Sequence, residues 1–307
     1  MRFKVVIGLS VALAFVALGL LLATALSGGD DDSQAEGGTV VLLAAGDIAE
    51  CDHDGDEATA RIVTEYPEAT IATLGDNAYP DGTSEDFQEC YDPTWGQFKD
   101  RTRPAAGNHD HETKDAQGYW DYFGDRGGPY DKYYYSYDLG SWHVVVLNSD
   151  CWRVDGCESD DPQAEWLRSD LERHESFCTL AVWHRPPFSS GRYGDLEDAG
   201  RVRPLWRMIN DEGVDVLLTG HEHSYERFAP MDADGKRDDA RGVRLFVVGT
   251  GGGNLRRFEN DPLATTEARQ DHSWGLLKLD LKPTGYTWEF LPVEGSTFSD
   301  SGTGTCH

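Results

Sequence analysis

The chain has 307 residues, of which 39% are hydrophobic and 11% aromatic, and this composition favours a folded globular protein over a disordered one. Its formal net charge of −28 argues against nucleic-acid binding and against docking onto anionic lipid, because both depend on a basic surface. The 34 glycines and 13 prolines show no collagen-like period and indicate many turns between strands.

The first 27 residues have the features of an export signal. Arg2 and Lys4 precede an apolar run from Val5 to Leu26, which is also long enough to span a bilayer as a retained anchor. Either alternative places the rest of the chain outside the cytoplasm, so we predict a secreted or cell-surface protein that contacts a membrane only through this segment, if it is not cleaved. Residues 28–38 are acidic and rich in glycine, which predicts a linker, and residues 39–307 are predicted to form one domain.

Short apolar runs rich in β-branched residues recur after the linker and predict strands, with turn signals between them. These runs are Thr39–Ala45, Ala69–Leu74, Trp142–Leu147, Cys178–Trp183, Val214–Thr219 and Arg244–Val248. Two hairpins are predicted as well, one joining residues 133–138 to 142–148 and the other joining residues 274–281 to 286–293.

Three amphipathic segments between these runs predict helices at Glu57–Tyr66, Pro162–His174 and Val202–Glu212. Strands alternate with helices in the middle of the chain, and hairpins dominate its end. This mixture predicts a layered α/β domain in which helices lie outside a central pair of sheets.

Six cysteines follow the leader, which suggests up to three disulfides in an oxidising compartment. The sequence alone leaves fifteen pairings open. The pairing we favour joins Cys151 to Cys157, Cys51 to Cys90, and Cys178 to Cys306.

Residues with metal-binding side chains follow the ends of several predicted strands. The segments are Gly46-Asp47, Gly75-Asp76-Asn77-Ala78-Tyr79, His184 and Gly220-His221-Glu222-His223, with Gly107-Asn108-His109-Asp110 between the second and third. In layered α/β folds the carboxyl ends of neighbouring strands open onto one crevice, where ligands bind. Oxygen donors mixed with imidazoles suit transition metals, and eight candidate ligands are about right for two ions.

Together these segments resemble the calcineurin-like metallophosphoesterases, and more closely the purple acid phosphatases. The resemblance covers essentially all of residues 39–307. It implies a metallophosphoesterase-type β-sandwich with α/β/β/α layers, flanked by helices. Most of the superfamily carries a histidine two residues after the first aspartate, and here that position is Ala49, which cannot bind a metal. Tyr79 stands where the purple acid phosphatases place a tyrosine ligand, so the loss and the gain compensate.

The resemblance implies two metal sites. The first would consist of Asp47, Tyr79, His223 and a bridging Asp76, a hard anionic set that favours Fe³⁺. The second would consist of Asn108, His184, His221 and the shared Asp76, and suits a divalent ion such as Zn²⁺, Fe²⁺ or Mn²⁺.

The family further implies an exported phosphatase in which metal-activated hydroxide attacks a small phosphate monoester. His109 resembles the acid that protonates the leaving group, and Asp110 is expected to orient its imidazole. Arg185, directly after His184, is a weaker candidate for a contact with phosphate. A phosphodiesterase or nucleotidase on the same scaffold remains an alternative, and a non-catalytic surface-binding module is a further one.

Overall fold

The computed structural model describes residues 38–307, except residues 175, 195 and 196. The predicted leader and all but the last residue of the predicted linker lie outside the described residues. Among the described residues, no helix combines the length and the apolarity that crossing a bilayer requires.

The described strands form two sheets. In chain order the strands are β1 (Val40–Ala45), β2 (Thr70–Leu74), β3 (Thr102–Ala105), β4 (Tyr135–Leu139), β5 (Trp142–Val146), β6 (Cys178–Val182), β7 (Val216–Thr219), β8 (Tyr225–Met231), β9 (Val243–Val248), β10 (Thr266–Gln270), β11 (Gly275–Lys282), β12 (Gly285–Pro292) and β13 (Ser301–Thr305). One sheet has the order β13-β12-β11-β1-β2-β3, and the other has the order β10-β8-β9-β7-β6-β5-β4.

Helices connect the strands. They are α1 (Gly55–Thr64), α2 (Ser84–Asp86), α3 (Gln117–Phe123), α4 (Pro162–Arg173), α5 (Glu197–Arg201) and α6 (Arg203–Asp211), together with a π-helical turn at Phe87–Tyr91 and short 3₁₀ turns. The crossover from β1 to β2 carries α1, that from β5 to β6 carries α4, and that from β6 to β7 carries α5 and α6. All three crossovers join parallel strands, which require such long connections.

Both faces of the second sheet are buried, because successive side chains of a strand point to opposite sides. Val144 and Val146 of β5 belong to the larger core cluster, which includes residues of both sheets, whereas Val145 lies in a second cluster. That second cluster also contains Leu167 of α4 and Trp206 of α6, so these helices cover the outer face. Two sheets with helices packed outside them confirm the predicted fold class.

Both predicted hairpins are confirmed. β4 pairs with β5 and β11 pairs with β12, in each case antiparallel, close to the predicted positions. The three predicted disulfides are also confirmed, namely Cys51–Cys90, Cys151–Cys157 and Cys178–Cys306. The last of them links β6 to the residue that follows β13, and it therefore ties one sheet to the other.

Candidate metal centre

Three strands are each followed by a glycine and then by a residue with left-handed backbone geometry. The φ angles are 60° at Asp47 after β1, 50° at Asp76 after β2 and 70° at His221 after β7. Residues other than glycine rarely adopt a positive φ angle, because it strains the backbone, and such strained residues are concentrated at functional sites. Here the three turns aim their side chains into the same crevice at the carboxyl ends of both sheets.

Close approach of these turns depends on glycine. A Cβ atom on Gly107 would lie 2.2 Å from Oδ1 of Asp76, and one on Gly220 would lie 2.7 Å from Oδ2 of Asp47. Both distances are shorter than non-bonded atoms tolerate. The glycines that precede Asn108 and His221 therefore let the two loops reach the carboxylates.

A first cluster of donor atoms surrounds the hydroxyl of Tyr79. This oxygen lies 2.9 Å from Oδ1 of Asp47, 3.3 Å from Oδ2 of Asp76 and 3.1 Å from Nε2 of His223. Nε2 of His223 is in turn 3.3 Å from Oδ1 of Asp47. All four side chains are buried.

A second cluster surrounds Nε2 of His184. This nitrogen lies 3.2 Å from Oδ1 of Asn108, 3.2 Å from Nδ1 of His221 and 3.2 Å from Oδ2 of Asp76. The same Oδ2 atom of Asp76 thus belongs to both clusters, and the structure brings together the seven residues that the family resemblance implies as metal ligands.

The two clusters fit a pair of metal ions. Metal–nitrogen and metal–oxygen bonds are about 2.0–2.2 Å long, so ligand atoms around one ion are separated by roughly 3 Å, as these are. The first cluster supplies three oxygens and one nitrogen, and the second supplies two oxygens and two nitrogens, which are donors that transition metals accept. Ala49 is fully buried and contributes no donor atom, and Tyr79 provides the fourth atom of the first cluster.

Neighbouring groups orient the ligands. Nδ1 of His184 lies 2.8 Å from the backbone oxygen of Leu74, and Nδ1 of His223 lies 2.6 Å from that of Asn254. Because a carbonyl oxygen only accepts, each Nδ1 donates to it, and Nε2 is the ring nitrogen that faces the cluster and would bind a metal. Such outer partners are typical of metal-binding histidines. The carboxylates are held similarly, since the backbone N–H of His221 donates to Oδ2 of Asp47, 2.7 Å away.

The charges of the centre depend on one another. Burial alone would raise the pKa of the Asp76 carboxyl, but the nearby imidazoles of His184, His109 and His221 hold it well below its usual range. Burial and the carboxylates of Asp47 and Asp76 raise the pKa of Tyr79 well above its ordinary value. Without a cation the phenol therefore stays protonated and donates to Asp47, and a bound metal would be needed to make it an anionic ligand.

His109 lies at the edge of the centre and is about one-third exposed. Its ring packs edge-on against Tyr79, with 4.6 Å between the ring centroids, and its Nε2 is 3.9 Å from Oδ2 of Asp76. Nδ1 of His109 is 2.5 Å from the backbone oxygen of Pro80, which therefore accepts its proton. Nε2 is the ring nitrogen that faces the metal ligands.

The expected contact between Asp110 and the imidazole of His109 is wrong. The Asp110 carboxylate points inward, where it accepts hydrogen bonds from Nδ2 of Asn77 (2.9 Å) and from the backbone N–H of Gly107 (2.8 Å). Burial, followed by the charge of Asp76, raises the pKa of this carboxyl to about 7. Adjacent residues in a tight turn point in different directions, so Asp110 joins the two ligand-bearing loops and the Pro80 carbonyl orients His109.

Sequence reasoning missed four residues next to the centre. Asn254 accepts from His223, and Glu50 holds Asn254 through two hydrogen bonds of 3.0 Å. The ring of Tyr193 lies over His221, and Arg256 donates to the Tyr193 hydroxyl. The one local signal near them is the glycine-rich segment of residues 249–253, which follows β9 and precedes Asn254. The candidate Arg185 reaches His221, with its Nη1 3.1 Å from Nε2 of that ring.

Comparisons with known proteins agree with this geometry. The family model for calcineurin-like phosphoesterases matches residues 40–225. Purple acid phosphatase 21 of Arabidopsis thaliana is 31% identical over 54% of this chain and 39% of its own length. Purple acid phosphatase 22 of the same plant is 26% identical over 77% of this chain and 60% of its own length. This chain therefore spans only part of the length of the curated relatives it matches.

Among solved structures, the purple acid phosphatase PPD1 from yellow lupin seeds superposes with a TM-score of 0.72 at 20% identity, covering 87% of this chain and 54% of the lupin chain. This likeness shows a shared fold. The chain belongs to the calcineurin-like phosphoesterase family and is similar to its purple acid phosphatases.

Proposed function

We propose that this member of the calcineurin-like phosphoesterases is an exported phosphatase that hydrolyses small phosphate monoesters at a pair of metal ions. The observation that carries the proposal is the position of Oδ2 of Asp76. It lies 3.3 Å from the Tyr79 hydroxyl and 3.2 Å from Nε2 of His184, so a single carboxylate oxygen faces both clusters.

Each cluster has the donors for one ion. Asp47, Tyr79 and His223 would hold the first with Asp76, and these anionic oxygens favour Fe³⁺. Asn108, His184 and His221 would hold the second, a divalent ion such as Zn²⁺, Fe²⁺ or Mn²⁺, again with Asp76. When bound, two such ions supply a water nucleophile of lowered pKa and positive charge for the phosphoryl oxygens.

The residues of this chain would complete the hydrolysis. Water adds to phosphorus, the ester P–O bond breaks, and the departing alkoxide takes up a proton. His109 is placed to supply that proton from Nε2 when its ring carries a proton on both nitrogens, because its Nδ1 proton is held by the Pro80 carbonyl. The proton that the attacking water releases balances the one that His109 gives up. Asp110 holds the loop that bears His109 against Asn77, which keeps Asn108 and Asp76 in register.

Export is supported by the cysteines and by the predicted leader. All six cysteines are paired in three disulfides, an arrangement typical of oxidising compartments and rare in the cytosol. Residues 1–27 carry the pattern of an export signal or anchor.

The experiment is metal analysis combined with two substrates. The purified chain, reconstituted with Fe³⁺ and Zn²⁺, should bind about two ions and hydrolyse 4-nitrophenyl phosphate faster than bis(4-nitrophenyl) phosphate. Asp76→Asn should lose bound metal and lower kcat/KM on the order of 10³-fold, because two ions contribute several kcal/mol to the barrier. Asp211→Asn, at an exposed position at the end of α6, is the matched control.

Three results would decide against the proposal. A preference for the diester would favour the phosphodiesterase alternative. A metal-loaded protein without activity on either ester would favour a binding module. An Asp76→Asn variant with full metal content would remove the basis for a shared ligand.

A further inference from the structure

Two side chains, Tyr193 and Arg256, lie next to the metal centre and contact each other. The ring of Tyr193 lies over that of His221, with 4.6 Å between centroids, beside the second cluster. Arg256 lies beside the first cluster, where its backbone N–H donates to the carbonyl of His223 over 3.0 Å. Nη1 of Arg256 donates to the Tyr193 hydroxyl at 3.1 Å. The pair thus spans from one cluster to the other.

A buried carboxylate holds Tyr193 in this position. Glu222, which stands between His221 and His223 in the chain, accepts hydrogen bonds from the backbone N–H of Tyr193 (2.6 Å) and of Arg192 (3.1 Å). The loop can come this close only because residue 191 is glycine, since a Cβ there would lie 2.5 Å from the Glu222 carboxylate. The position of Tyr193 is therefore built into the segment that carries two metal ligands.

Arg256 lines a cavity of about 400 Å³. Tyr79, His109 and His223 line the same cavity, so it reaches the metal centre. The remaining lining includes five carboxylates, namely Glu50, Asp52, Glu85, Asp86 and Glu89. Within the described part of the chain, Arg256 is the single arginine or lysine of this lining. An anionic substrate that enters the cavity therefore meets one fixed positive charge besides the metals.

We propose that Arg256, positioned by Tyr193, binds the non-bridging oxygens of a phosphate monoester and selects the monoester dianion over a diester. The guanidinium has five N–H donors, one of which the Tyr193 hydroxyl accepts, and its forked geometry matches two phosphate oxygens. This inference rests on the proposed phosphatase function, and it assigns the choice of substrate within that function to two residues.

Charge explains the selectivity. Above a pH of about 6 a phosphate monoester carries nearly two negative charges, whereas a diester carries one. Metal ions held by the two clusters would attract both substrates, and the five carboxylates repel both. The monoester has three non-bridging oxygens and the diester has two, so the monoester offers Arg256 one more oxygen and one more negative charge.

The test compares two neighbouring arginines. Arg256→Gln removes the charge inside the cavity. Arg257→Gln removes the same charge from a side chain that is about three-quarters exposed and pairs with Asp271, so it serves as the matched control. Both variants are loaded with metal, and metal content is measured. KM and kcat are then determined for 4-nitrophenyl phosphate and for bis(4-nitrophenyl) phosphate, and binding of inorganic phosphate is measured by calorimetry.

We expect Arg256→Gln to raise KM for the monoester and the Kd of inorganic phosphate by about 10- to 100-fold, the usual range for loss of a hydrogen bond to a charged group. KM for the diester should change by less than about threefold, so the preference for the monoester falls. For Arg256→Lys, KM for the monoester and the Kd of inorganic phosphate should lie between those of Arg256→Gln and the wild type. Tyr193→Phe should raise both values by a smaller factor than Arg256→Gln does. Arg257→Gln should match the wild type.

Two outcomes would overturn the inference while the phosphatase function stands. In one, the wild type is active but Arg256→Gln keeps its affinity for phosphate and its preference for the monoester. In the other, Arg257→Gln causes the same loss, which would indicate a general effect of surface charge. A wild type that hydrolyses neither ester would instead refute the proposed function itself.

Discussion

Nδ1 of His223 donates its proton to the backbone carbonyl of Asn254 across 2.6 Å. Asn254 is itself held by Glu50, whose two carboxylate oxygens accept from its backbone N–H and its Nδ2, each at 3.0 Å. Glu50 lies three residues after Asp47. The loop after β1 therefore supplies a donor atom to the first cluster and also fixes the orientation of a second donor, His223, through the loop after β9.

Glu50→Ala should weaken metal binding at the first cluster without removing a ligand. Loss of a group that orients a metal-binding histidine typically lowers metal affinity about 10- to 100-fold. Competition with a chelator measures the effect. Glu50→Gln, which keeps one acceptor for Asn254, should lose less. Equal affinity in Glu50→Ala and the wild type would show that Asn254 holds His223 unaided.

Tyr79→Phe should abolish the colour of the metal-loaded protein. A phenolate bound to Fe³⁺ absorbs visible light by charge transfer, and Tyr79 is the phenol of the first cluster, 2.9 Å from Asp47. A visible spectrum of protein loaded with iron checks this result. Tyr193→Phe is the control, because Tyr193 lies over His221 and outside the first cluster. A colourless wild type with full activity and no iron would refute the assignment of iron while leaving phosphoesterase chemistry in place.

Asp56→Asn should stabilise the protein increasingly as the pH rises from about 4 to about 7. Burial raises the pKa of the Asp56 carboxyl to about 6, an effect that the hydrogen bond from Thr94 (2.7 Å) partly offsets. A folded-state pKa above the unfolded value means that ionisation lowers stability, and the loss grows across this window until the folded carboxyl is ionised. The free energy of unfolding of Asp56→Asn, relative to that of the wild type, should be about 1–2 kcal/mol higher at neutral pH than at about pH 4, after allowance for solvent screening.

Urea unfolding of Asp56→Asn and of the wild type at the two pH values measures this difference. The amide oxygen of asparagine still accepts from Thr94, so the variant removes the charge and keeps the hydrogen bond. A stability difference that does not change with pH would contradict the effect of burial on Asp56.

Removal of Cys178–Cys306 should lower the free energy of unfolding more than removal of Cys151–Cys157. The first pair is separated by 128 residues and the second by 6. The loss of loop-closure entropy in the unfolded chain predicts about 5 kcal/mol for the long loop and about 2 kcal/mol for the short one. Denaturant unfolding of the two double cysteine-to-alanine variants gives the comparison. A larger loss of unfolding free energy on removal of Cys151–Cys157 would show that strain or packing outweighs chain entropy here.

The strands that the sequence predicted are mostly central, and three of the four that it missed are edge strands. β3, β10 and β13 each have one neighbour in a sheet. β3 contains Pro104 within four residues, and β13 consists of serine, glycine and threonine. Edge strands bury less apolar surface and tolerate proline, so their sequences lack the apolar run that identifies a central strand. The fourth, β8, has two neighbours, but Glu226, Arg227 and Pro230 interrupt its apolar residues, so it lacks the continuous run of the other central strands.

The amino-acid sequence by itself identified the candidate metal ligands and located every central strand except β8. Both depend on local features, namely apolar runs that predict strands and, after several of them, short polar segments in which a glycine directly precedes the donor, as at Asp47, Asp76, Asn108 and His221. Only the tertiary structure decided that one oxygen of Asp76 faces both clusters, that Pro80 and not Asp110 orients His109, and that Arg256 meets Tyr193 across 63 positions of the chain. These relationships are distances between loops of different strands, and they are set by the packing of two sheets, which no local pattern encodes.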